Sequence, residues 1–390
     1  MKEHDIIVTE SRDPAMERRE FELVERKGVG HPDTICDEIA EAVEQELSRE
    51  YLQRFGKILH HNVDKSLLVA GRSNPAPGGG KILQPMRFIL GDRAVEVFQG
   101  QKIPLDEIAG QTVKKWFKDH LRFVDPQEHL IIQNEITSGS IDLVDLFQRQ
   151  RVGANDTSVG VGYAPLSLTE QLVLDVEGEL NSTAFKERHP ESGEDIKLMA
   201  CRRNKKLKLI VAMAFVDRFI ESVDDYFVKK ARLVNEIRQI VENKTEEFTS
   251  VEIDLNALDE RGRGKAGIYM TVLGTSAESG DSGQVGRGNR VNGIISYNRP
   301  STTEAASGKN PVSHTGKIYN RFSHQLAADI YHSVPGIAEV NVWLCSKIGE
   351  LLDQPLMAAA EIKLTSGTDR RGISCQVEEI IRSRLKSLTD

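Results

Sequence analysis

Cysteine is scarce in this 390-residue chain: Cys36, Cys201, Cys345 and Cys375 stand far apart, with no CxxC spacing. That argues against a disulfide framework or a thiolate zinc site and leaves isolated reduced thiols. Long apolar runs are missing too, none approaching the roughly 18 residues of a membrane span. The opening "MKEHDIIVTESRDP" lacks the basic-then-apolar layout of a secretory signal, so the expected compartment is the cytoplasm. Positive charge is in deficit, with 51 Lys and Arg against 59 Asp and Glu, a net charge of -8. A field of that sign repels polyanions, so neither nucleic acid nor membrane is an expected partner. Two familiar phosphate-loop signatures are absent as well. "TEAASGKN" has Thr303 where a Walker loop needs its first glycine and Asn310 where Ser or Thr should follow the lysine. "GRGNRV" ends in Val291 and lacks the strand–helix context of a dinucleotide fold.

What is present suits a soluble globular chain of this size class, which buries roughly 75% of its surface and divides by length into two or three domains. Short β-prone runs occur at 57–71, 86–98, 128–134 and 207–216. Helical periodicity predicts helices over 32–52, 107–122, 168–181, 222–245, 314–333 and 374–387. Hairpin-like strand pairs mixed with helices indicate an α+β fold more than a doubly wound parallel sheet. The Pro/Gly stretch "GRSNPAPGGGK" (71–81) reads as a flexible connection.

The strongest local signal is "ERKGVGHPDTICDEIAEAV" (25–43). Apolar residues at 35, 39, 43, 47 and 51 form one helical stripe, and Gly56 suits its end. Pro32 fits the first helical position, which puts His31 at the cap, Asp33 in the first turn and Asp37 one turn on. Two readings stay open on this stretch alone. The aspartates complement the positive end of the helix, or Asp33 holds a hard cation while His31 faces a phosphate ester oxygen.

A second segment runs against the charge of the whole. Between 281 and 317, Arg287, Arg290, Arg299, Lys309 and Lys317 outnumber Asp281 and Glu304, and the stretch 274–316 holds eight of the 31 glycines. Backbone N–H groups freed by glycine, with forked and mobile cations, are what a polyphosphate needs. "GANDTSVGVGYAPLS" (153–167) adds Asp156 and an N-cap at Ser167, and Gly139 with Ser140 ahead of an apolar run is a modest anion-binding signal.

Together, "ERKGVGHPDTICD", "ILHHNVDKSLLVAGRS", "GANDTSVGVGYAPLS", "GEDIKLM", "GTSAESGDSGQVGRGNRVNG" and "EAASGKNPVSHTGKIYN" resemble the methionine adenosyltransferase (S-adenosylmethionine synthetase) family in its archaeal-type branch. The resemblance implies three similar α+β subdomains, intertwined in sequence, each a β-sheet with helices on one face. It implies a homodimer or dimer of dimers, with active sites between subunits. The implied reaction is attack of L-methionine sulfur on C5′ of ATP, release of triphosphate and its hydrolysis to pyrophosphate and phosphate, with Mg²⁺ and K⁺. Carried over residue by residue, His31 stabilises the departing triphosphate, Asp33 ligates Mg²⁺, Arg287 and Lys309 hold phosphates, and Asp281 and Asp156 contact substrate. Arg290 and Lys317 join them as members of the cationic segment 274–317. Gly288 follows Arg287 where the bacterial branch has lysine, and the second Mg²⁺ ligand and the K⁺ site stay unassigned. The rival readings are a nucleotide-binding regulatory paralogue, a variant acting on a methionine analogue, and an enzyme that splits ATP at phosphorus. The fate of the triphosphate separates the last.

Overall fold

The computed structural model describes residues 6–139, 147, 153–368 and 370–388, the side chains of 370 and 371 excepted. Its strands form three main sheets, each with helices on one face and its own apolar core. The first sheet runs Leu130–Thr137, Met86–Ala94, Leu67–Val69, Gly283–Gln284, with His61–Asn62 on Met86–Ala94. Helices α1 (Pro32–Phe55) and α2 (Leu105–His120) cover it. The second runs Ser250–Leu255, Lys206–Val216, Ser192–Arg203, Phe21–Lys27, Ile295–Ser296. It carries α3 (Leu168–Leu180), α4 (Thr183–Arg188) and α5 (Val223–Lys244). The third runs Ile6–Glu10, Met357–Leu364, Ile337–Cys345, Val159–Ala164 under α6 (Thr315–Ser333) and α7 (Arg370–Lys386).

The chain weaves between these units. Ile6–Glu10 pairs in parallel with Met357–Leu364 near the other terminus, and the segment 283–296 gives a strand to the first sheet and another to the second. A ribbon that stitches two sheets is well placed to hold a site between them.

Local chemistry accounts for the elements. The α1 stripe Ile35, Ile39, Val43, Leu47 and Tyr51 is fully buried, and Gly56 ends the helix at φ 68°. Ser167 caps α3 in a reciprocal box with Glu170. Four of the six expected helices start and stop within two residues of the observed ones; the one expected at 32–52 runs three residues further, to Phe55, and the one at 374–387 begins four residues earlier as α7.

Three local features have physical causes. The run 57–71 breaks into His61–Asn62 and Leu67–Val69, because Asp64 turns inward between them to pair with Lys309. The glycines of "VGVGYA" lie in a strand: a Cβ at Gly160 would stand 2.3 Å from the Tyr319 carbonyl carbon, and one at Gly162 would stand 2.2 Å from His324 N. They let α6 lie directly on the sheet. The stretch 71–81, expected as a flexible connection, forms a hairpin of Arg72–Asn74 and Lys81–Gln84. Its tip is tied down by Ala76 N and Gly80 N donating to Asp217 Oδ2 at 3.0 and 2.7 Å.

Candidate active site

His31 caps α1 from an extended backbone conformation, with Pro32 behind it at the first helical position. Its Nδ1 accepts the Asp33 N–H at 3.2 Å. Burial, then the charge of Lys27, pushes the imidazole down to about 4, so the ring is neutral at pH 7. A neutral ring whose Nδ1 accepts carries its proton on Nε2, which makes Nε2–H a donor. Gly28 and Gly30 serve the protein more than a ligand. Their N–H groups bond Ile196 O and Glu194 O at 2.6 and 3.1 Å, and a Cβ on Gly30 would meet Asp195 N at 2.4 Å. The turn is glycine-rich because two backbones touch there.

The aspartates of α1 clasp the cationic segment. Asp33 Oδ1 accepts Gln284 N at 3.0 Å, and Asp37 accepts Gly286 N at 2.8 Å and Gly288 N at 3.0 Å. Neither of the two readings left open by the sequence anticipated this role. Arg290 tightens the same turn by donating to the carbonyls of Gly286 and Gly288, both at 2.8 Å. The clasp leaves Arg287 exposed at its tip, with Asp281 exposed at its start. Lys27 sits beneath: its Nζ is 2.9 Å from Asp33 Oδ2 and 2.6 Å from the Arg287 carbonyl.

Lys27 and Lys197 face each other across paired strands, an arrangement of like charges that needs compensation. Glu25 supplies it, 3.2 Å from Lys197 and 3.8 Å from Lys27. Asp195, two residues before Lys197, is buried and accepts Ser276 N at 2.8 Å and Ser276 Oγ at 2.5 Å. Burial raises its carboxyl to about 6, and the neighbouring charge of Asp281 adds to the rise. Lys27, Asp195 and Lys197 were not singled out from the sequence. The signal was there in "ERKG" and "GEDIKLM", but only the fold shows both strands meeting the α1 cap.

A second cluster forms farther along α1. Lys309 Nζ lies 2.7 Å from Asp64 Oδ2 and 3.3 Å from Glu304. The backbone of Gly308 donates to Glu41 at 3.2 Å and accepts from Val63 N at 2.8 Å. Burial alone would raise the Asp64 carboxyl, but Lys309 and its other donors hold it well below the usual range. Lys317 is buried, 2.6 Å from Glu44 and 2.8 Å from Glu41. Asp156 is half-buried at the start of α6, its carbonyl accepting Thr315 Oγ1 and Ser346 Oγ. Among the described residues no hydrogen bond or ion pair joins the side chains of this cluster to those around His31. Gly139 abuts His60, where a Cβ would stand 2.7 Å from the ring, and Ser140 lies outside the described residues.

The back of the cationic segment walls a cavity of about 400 Å³, lined by Asp37, Trp116, Tyr163, Arg290 and Arg299 among others. His31, Arg287 and Lys309 are not part of its lining.

Residues 4–390 match the family model described as S-adenosylmethionine synthetase (AdoMet synthetase). The chain is 47% identical to the S-adenosylmethionine synthase of Pyrococcus furiosus, covering 92% of this chain and 89% of that protein. It is 45% identical to the S-adenosylmethionine synthase of Aeropyrum pernix, covering 98% and 96%. In structure it resembles an unusual S-adenosylmethionine synthetase from Campylobacter jejuni, with a TM-score of 0.60 at 15% identity over 95% of this chain and 89% of that one. At that identity the likeness concerns the fold.

Proposed function

Because the chain belongs to the archaeal-type S-adenosylmethionine synthetase family, we propose that the clusters at α1 divide the work of joining ATP to L-methionine. The reaction is sulfur attack on C5′ of ATP, departure of the triphosphate, and its hydrolysis to pyrophosphate and phosphate. A neutral thioether is a modest nucleophile, so stabilising the leaving group is the main task.

The observation that carries the reading is the capping geometry of His31, whose Nδ1 accepts the Asp33 N–H and so turns its Nε2 edge outward as the donor. Its Nε2–H is a donor held in place by a helix cap, suited to the oxygen that leaves C5′. We assign Arg287, exposed at the tip of the clasped turn, and Lys197, paired across strands with Lys27, as cations for the phosphates, and Asp281 as an acceptor for the methionine ammonium. Lys309 and Asp156, in the second cluster, act on triphosphate and substrate from the other side. As the resemblance implies, the site would be completed between two subunits, in a homodimer or dimer of dimers. Arg290 and Lys317 support the site by holding the 286–288 turn and the Glu41–Glu44 stretch of α1. We propose that Gly139 and Ser140 contact substrate and that the protein works in the cytoplasm; among the described residues no helix is long and apolar enough to cross a membrane.

The family uses metal ions, and we propose Mg²⁺ and K⁺. Asp33 is a carboxylate at a helix N-terminus beside the phosphate-facing cations, a donor type that suits Mg²⁺ when substrate phosphates complete the shell. When bound there, the ion would neutralise triphosphate charge as it develops. The test is to supply ATP, L-methionine, Mg²⁺ and K⁺ and follow S-adenosylmethionine, phosphate and pyrophosphate together. All three should appear in equal amounts. ATP binding without any of them would overturn the reading.

A further inference from the structure

Asp33 is spoken for. Oδ1 accepts the Gln284 N–H, and Oδ2 faces the Lys27 ammonium at 2.9 Å, with the Lys27 side chain only 10% exposed. The same ammonium donates to the Arg287 carbonyl at 2.6 Å and has Glu25 at 3.8 Å. Among the described residues no group of three or more His, Cys, Asp and Glu is placed to hold a metal ion. Resting on the assignment of Asp33 as the metal-facing carboxylate, we propose that Lys27 is its resident counter-ion, so that the nucleotide-free protein has no preformed divalent site.

The physical case is one of competing cations. A buried carboxylate with an ammonium against one oxygen and a backbone donor on the other has little affinity left for a free ion. A dication arriving alone would have to displace the Lys27 ammonium from Asp33 and take its place beside Lys197. An ion carried by a polyphosphate brings its own anionic oxygens, and those same oxygens give Lys27 a second acceptor. Lys27 thereby makes metal binding conditional on nucleotide and keeps Asp33 oriented against the 284–288 turn in the meantime. Because it also holds the Arg287 carbonyl, its position is tied to the phosphate-facing arginine.

The test is a Mn²⁺ titration read by the loss of the free-ion electron paramagnetic resonance signal, which requires no turnover. Wild-type protein alone should bind Mn²⁺ weakly, and adenylyl imidodiphosphate should tighten binding by at least about tenfold beyond the affinity of the nucleotide itself. Lys27→Met should bind Mn²⁺ without nucleotide at least about tenfold more tightly than wild type, the double variant Lys27→Met/Asp33→Asn should lose that gain, and Lys27→Arg should stay weak. Tight Mn²⁺ binding by nucleotide-free wild type would overturn the proposal, and that arm stands even if the methionine variant does not fold. A Lys27→Met variant that folds and binds like wild type would overturn it too, leaving Lys27 a tie between strand and turn. A protein that made no S-adenosylmethionine yet showed the expected titration would contradict the functional reading alone.

Discussion

Asp37 gives a prediction in which stability and activity move in opposite directions. Its carboxylate accepts the N–H groups of Gly286 and Gly288 and so holds Arg287, which lies between them. Burial pushes its carboxyl up to about 6 from an ordinary 3.8, against the pull of those two N–H groups and of Arg290. A folded-state value above the unfolded one means the protonated form favours folding. The stabilisation is complete below 3.8 and is lost as pH rises through about 6. Ionised at pH 7.5, Asp37 therefore costs the fold about 3 kcal/mol relative to its protonated form. Asp37→Asn resembles the protonated acid at every pH. The variant should gain up to about 3 kcal/mol over wild type in urea unfolding at about pH 7.5 and almost nothing near pH 4. Its amide offers one acceptor where the carboxylate offered two, so the 286–288 turn loosens and kcat/KM should fall about tenfold, a loss of ~1.4 kcal/mol in the transition state. A variant less stable than wild type by the same amount at both pH values would refute the reasoning, since burial would then not be what the carboxylate resists.

Replacing His31 with alanine should lower kcat by at least about 10²-fold while unfolding shifts by about 1 kcal/mol, the worth of a helix cap. Near wild-type turnover, measured by product formation, would return His31 to a capping role. Lys317→Met leaves Glu44 and Glu41 without their buried partner and should cost about 3–5 kcal/mol in chemical denaturation. If Lys317 instead contacts substrate, KM should rise with stability little changed. Gly162→Ala drives a methyl into the Ser323–His324 backbone and should destabilise by about 1–3 kcal/mol or more, with α6 pushed off its sheet. A thermal midpoint unchanged by that substitution would contradict the packing described for "VGVGYA".

The helices were legible because their signals are local. The five-residue stripe of α1, Pro32 and Gly56 specify that helix without reference to the rest of the chain. Strands such as Met357–Leu364 were not, because "MAAAEIKL" has the composition of a helix, and only burial of Ala358, Ala360 and Ile362 under α6 and α7 makes it a strand. Ser192–Arg203 was hidden by its polar start, "SGED", whose charges are buried at the site. The candidate site shows the same division. His31, Asp33 and the glycine-rich segment announce themselves by motif, whereas Lys27, Asp64, Asp195 and Lys197 matter through partners dozens or hundreds of residues away. The grouping into two clusters follows from how the strands interleave, which no local pattern records.

The central claim is that these residues stabilise a triphosphate leaving C5′, and one isotope experiment tests it most directly. ATP labelled with ¹⁸O at the oxygen bridging C5′ and the α-phosphorus is turned over with L-methionine, and the label is located by mass spectrometry. The account predicts all the label in the pyrophosphate and phosphate released, in step with S-adenosylmethionine formation. Unlabelled pyrophosphate and phosphate, with the label kept on O5′ of an adenosine or adenylate product, would mean cleavage at phosphorus and would contradict the account.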